Sequence, residues 1–79
     1  MSKLDLNQLM PQIKTLMGMI KESKPILYQE IMTDPECQEI LRESQTRYRE
    51  KMHRMMGQGM LEWEAHEIAW RDLTNQYSL

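Results

Sequence analysis

TDPECQEILRESQTRYREKMHRMMGQG, running from Thr33 to Gly59, carries both a helix start and a helix stop, and its reading decides the fold. Thr33 or Asp34 can accept a backbone N–H as a cap, Pro35 suits a first helical position, and Glu36 lies three residues after Thr33, the spacing of a capping box. At the far end Gly57 and Gly59 readily take the left-handed conformation that ends helices, and His53 and Arg54 place positive character near the negative helix terminus. The expected element is one long helix over residues 35–56.

Working outward, the upstream segment has apolar residues at Leu6, Leu9, Ile13, Leu16 and Ile20, the spacing of an amphipathic helix. Pro11 is tolerated only in its first turn, so the helix is expected to start near residues 7–10 and end around Glu22, with residues 1–6 frayed or an extended lead-in. A short second helix is expected between Pro25 and Pro35, with Ser23 as its cap. Downstream of the glycines, MLEWEAHEIAWRDLTNQY places Trp63, His66, Ala69, Trp70, Leu73 and Tyr77 on one face, with Leu61, Ala65 and Ile68 elsewhere. A helix apolar on two sides calls for two neighbours.

The class is therefore all-α. One helical domain over residues 1–79 is a bundle of three to four helices, broken near 23–25, 33–35 and 57–59. Two features predict completion by self-association, a dimer being the expected state. A lone core of this size rarely supplies more than about 3–5 kcal/mol. Within the long helix, residues 42–51 offer only Tyr48 to bury, and Ser44 and Gln45 interrupt its apolar face.

Composition removes several function classes. The single cysteine, Cys37, allows no intramolecular disulfide and points to a reducing compartment, so the expected location is cytoplasmic. The segment MSKLDLNQLMPQIK lacks the uninterrupted apolar core of an export signal, and no stretch approaches the roughly 20 apolar residues of a membrane span. A net charge of −2 gives no global attraction to nucleic acid or anionic lipid.

The motifs that could carry chemistry are incomplete. His66-Glu67 opens like a zinc-protease HExxH, but position 70 is Trp70, so the second ligand is missing. Met52, His53, Met55, Met56 and Met60 include soft ligands suited to Cu(I), yet methionines at helical spacing serve more often as core or interface filler. Cys37 sits among Glu36 and Glu39, whose charges oppose a thiolate. No nucleophile elbow, phosphate-binding glycine loop or carboxylate pair is present. The expectation is a protein that is not an enzyme and needs no metal or cofactor.

What remains is binding. Trp, Tyr, Met and Arg are the side chains enriched in interface hot spots, so Met52, Met55, Met56, Met60, Trp63 and Trp70 form the expected partner surface, around the corner at the glycines. The expected function is a non-enzymatic module that modulates or inhibits a larger protein by occupying its surface. Small inhibitors and antirepressors of phages and mobile elements share this size and composition, an analogy of general character alone. The alternative is a DNA-binding regulator using Arg42, Arg47, Arg49, Lys51 and Arg54, and a third reading is a structural subunit or assembly chaperone.

Overall fold

The computed structural model describes residues 4–79, which form a short 3-10 turn at Leu6–Gln8 and four helices: α1 (Pro11–Ser23), α2 (Pro25–Thr33), α3 (Pro35–Gly57) and α4 (Glu62–Gln76). Among the described residues there is no strand. The all-α bundle with one long helix is thus the architecture of the chain. The 23 residues of α3 span about 35 Å at 1.5 Å per residue, which accounts for most of the 39 Å long dimension. No described helix is long and apolar enough to cross a membrane.

All three prolines stand at the first position of a helix. A proline there loses nothing, because its missing N–H would have had no intrahelical partner, and it forces the preceding residue out of the helical region. Met10, Lys24 and Asp34 accordingly have ψ of 151°, 68° and 118°. Lys24 and Asp34 are single-residue hinges, so α1, α2 and α3 fold back on one another with almost no loop.

The caps differ in detail from the sequence reading. Asp34 caps α3, its Oδ1 accepting the Glu36 N–H at 2.9 Å, while Thr33 closes α2 and donates its hydroxyl to the Gln29 carbonyl. Ser23 ends α1 and caps nothing, because Lys24 occupies the position before Pro25. Residues 1–3 of the lead-in lie outside the described residues. From residue 4 onward the lead-in is packed: Leu4 and Leu9 are buried, and Asp5 holds the 3-10 turn by accepting the Asn7 N–H.

The stop of α3 is a Schellman motif. The Met60 N–H donates to the Met55 carbonyl at 3.1 Å and the Gly59 N–H to the Met56 carbonyl at 3.0 Å, with Gly59 at φ +95°. Gly57 is still helical, so Gly59 supplies the left-handed residue. The two ends of such a motif are commonly apolar, and here they are the buried Met55 and Met60, which packs against the core. At the start of α4 only half a capping box forms: the Glu64 side chain reaches back to the Leu61 N–H at 3.3 Å, and leucine has nothing to offer in return.

The core runs in chain order. α1 packs on α2, α2 on α3 and α3 on α4, around Ile13, Leu16, Ile20, Ile31, Leu41 and Leu73. The small side chains of Ala65 and Ala69, both buried, let α4 lie close to α3.

The middle of α3 is filled by polar side chains within the same chain. Ser44 is 1% exposed and donates to the Ile40 carbonyl at 2.9 Å, so its oxygen is left to accept the Tyr77 hydroxyl of α4 at 3.0 Å. Gln45 accepts the Met10 N–H at 3.0 Å, satisfying a donor at the entry to α1. The buried line of α3 is Gln38, Leu41, Ser44, Tyr48 and Met55, whereas Ile40 and Met56 are exposed.

Candidate functional site

At 100° per residue, Ala65, His66, Ala69, Trp70, Leu73 and Tyr77 occupy one arc of α4, the first, third and fifth of them buried and the others half-buried. Trp63 falls at one edge of this arc and is 62% exposed; Leu61 and Ile68 fall at the other edge and are exposed. The half-buried His66 and Trp70 border a hollow together with Pro11, Gln12 and Thr15 of α1. Side chains of α1 and α4 border the same space although the two helices do not pack closely on each other, and an open trough is left between them.

The trough consists of two adjoining hollows of about 420 and 410 Å³ that share Gln12 and His66. Pro11, Thr15 and Trp70 complete the first, and Tyr48, Met52, Glu62 and Trp63 the second. His66 is its fixed point. Its Nδ1 lies 2.5 Å from the Tyr48 hydroxyl, its ring meets Tyr48 edge-on at 6.0 Å, and it stacks on Trp70 with centroids 5.7 Å apart and planes 27° apart. Burial, helped by the nearby Glu62 carboxylate, raises the Tyr48 pKa.

Gln12 is the one incomplete partner. Its Oε1 is buried and accepts no hydrogen bond, and among the described residues it is the sole side-chain nitrogen or oxygen atom so left. Gln12 borders both hollows, and its Oε1, closed off from solvent, is an acceptor without a donor, where buried carbonyl oxygens are nearly always paired.

The residues expected to meet a partner divide into three groups. Met52, Trp63 and Trp70 line the trough. Met55, 7% exposed, belongs to the core, and Met60 is half-buried at the helix stop. Met56 is exposed but does not line the trough.

The basic residues of α3 do not share a face. Arg47, Lys51 and Arg54 lie within about 60° of one another on the wheel, whereas Arg42 and Arg49 lie about 120° or more away. Arg42 pairs with Glu39 at 3.6 Å, and Lys51 pairs with Asp72 of α4. Arg47, Lys51 and Arg54 border a cleft of about 250 Å³ that Glu50 and Asp72 also line.

Cys37 donates to the Asp34 carboxylate at 3.7 Å, and its pKa is raised by desolvation and by the charges of Asp34, Glu30 and Glu36. The thiol form is favoured, the opposite of what a nucleophile requires. Among the described residues no three His, Cys, Asp or Glu side chains gather as metal ligands.

Sequence reasoning placed Trp63 and Trp70 in the site but missed Gln12, Tyr48 and His66 as its floor. Tyr48 and His66 lie 18 residues apart, and Gln12 reaches them only because α1 passes over α3; no local spacing encodes that meeting. No protein-family model matches this chain, and neither a curated protein nor a solved structure matches it.

Proposed function

We propose that this chain is a small non-enzymatic, cytoplasmic protein-binding module that modulates or inhibits a larger protein by occupying its surface. One observation carries the reading: the exposed Trp63 indole stands at the mouth of a trough whose floor, Tyr48, His66 and Trp70, is already ordered by mutual contacts. Aromatic anchors on a rigid floor lose little conformational freedom when covered, which is what concentrates binding energy in a few residues. Self-association as a dimer is proposed with it. Leu61 and Ile68, exposed on the other edge of α4, give that helix a second apolar side. The division of the basic residues over two faces of α3 argues against the DNA-binding alternative.

The test pairs circular dichroism with capture of partners from the native host by wild type and by Trp63→Ala. Truncation of an interface anchor costs about 2 kcal/mol or more in affinity, roughly 30-fold. Trp63→Ala is expected to keep its helicity and lose its partner. Equal capture by the two proteins overturns the reading. Light scattering addresses the dimer, which a monomer mass at tens of micromolar would remove.

A further inference from the structure

We propose that the trough between α1 and α4 is a receptor for a guanidinium group, the side chain of an arginine carried by the partner protein. The proposal rests on the protein-binding reading above and names the chemistry of what enters.

Three features of the lining agree. The first is the buried Gln12 Oε1, which has no donor in the isolated chain. The second is charge. Glu62 is the sole charged residue among those bordering the two hollows, and no lysine or arginine borders either. The carboxylate is felt on the floor, since it contributes to the raised pKa of Tyr48. All of α4 shares this sign, with Glu62, Glu64, Glu67 and Asp72 against Arg71. The third is the pair of indoles, one in each hollow, since tryptophan is the aromatic side chain that best attracts a cation over its face.

An arginine answers all three at once. It has five N–H donors and no acceptor, so it can serve Gln12 Oε1 and Glu62 together, and its plane stacks on indole. A lysine offers a compact, strongly hydrated charge without a stacking plane. A neutral apolar side chain would leave Gln12 Oε1 unpaired and would offer the Glu62 carboxylate no donor.

The experiment uses the purified full chain and follows the two indole Nε1–H resonances by NMR while N-acetyl-arginine amide is added. The comparators are the lysine amide and the citrulline amide, the latter having nearly the same shape without the charge. A ligand this small is expected to saturate with Kd on the order of 1–10 mM. Citrulline should bind at least about tenfold more weakly, and lysine should fall between the two. Glu62→Gln and Gln12→Leu should each weaken the arginine probe about fivefold or more while circular dichroism remains unchanged. Equal shifts with arginine and citrulline, or no saturation by about 100 mM, overturn the proposal.

Failure of the two readings is distinguishable. If the probe fails yet Trp63→Ala still loses its partner, the guanidinium assignment falls and the protein-binding module stands. If the probe binds but Trp63→Ala captures the same partners as wild type, the partner-borne arginine is overturned and a free guanidinium compound takes its place. If saturating probe converts a dimer to a monomer in light scattering, the arginine belongs to a second copy and the proposal is likewise overturned.

Discussion

Exchanging Gly57 and Gly59 for alanine, one at a time, should move stability in opposite directions. A methyl group at either position meets nothing within 4 Å, so packing drops out of the comparison and backbone conformation alone remains. Gly57 is the last residue of α3 with helical geometry, where alanine is better than glycine by about 0.5–1 kcal/mol, because glycine loses more freedom on folding. Gly59 is at φ +95°, where an L-residue other than glycine costs about 1–2 kcal/mol. The two variants should therefore differ by about 2 kcal/mol. At 4–8 °C per kcal/mol for a domain of this size, their thermal midpoints should stand about 8–16 °C apart, with Gly57→Ala above wild type and Gly59→Ala below. Thermal melts followed at 222 nm measure this directly. If both shift the same way, the left-handed residue is not Gly59, and α4 leaves α3 by a different geometry from the one that carries Trp63 to the trough.

Ser44→Ala should cost about 1–2 kcal/mol because the Tyr77 hydroxyl loses its acceptor, while Tyr77→Phe should cost less, since Ser44 keeps its bond to the Ile40 carbonyl; urea unfolding of both and of the double variant should give a coupling of about 1 kcal/mol, and simple additivity would contradict the bond. Stability should fall at alkaline pH. Tyr48 and Tyr77 both have raised pKa values, chiefly from burial, so the folded chain binds more protons than the unfolded one: their contribution is full below the ordinary tyrosine value near 10 and is lost as pH rises through the folded values. Urea midpoints at pH 8 and pH 11 check the sign, and Tyr48→Phe with Tyr77→Phe should flatten the fall. Cys37 should react with iodoacetamide more slowly than free cysteine at pH 8, and Asp34→Asn should speed it; a rate equal to that of free cysteine would refute the raised pKa.

The trough was half legible in the sequence. Trp63 and Trp70 stood out by chemical type, because a chain with two tryptophans and no phenylalanine has few other ways to build an aromatic contact. Met55 and Met60 were drawn into the same surface by composition. The Schellman motif joins them instead across the helix stop, a role set by the backbone bond from the Met60 N–H to the Met55 carbonyl rather than by side-chain type.

What the sequence by itself determined is where the chain turns and which class it joins. Pro11, Pro25 and Pro35 can start helices but not continue them, and Gly59 can take a backbone angle that other residues resist; these are properties of single residues and need no neighbour to act. The all-α class follows from apolar spacing within each segment, which is equally local. Tertiary structure alone decided how polar residues in the middle of α3 are used. Ser44 and Gln45 read as gaps in an apolar face, and they become bonds only when Tyr77 and Met10 arrive from 33 and 35 residues away. The same holds for Gln12, Tyr48 and His66. Their meeting depends on how α1, α3 and α4 are brought together, which is fixed by the packing of whole helix faces and is written in no short stretch of sequence.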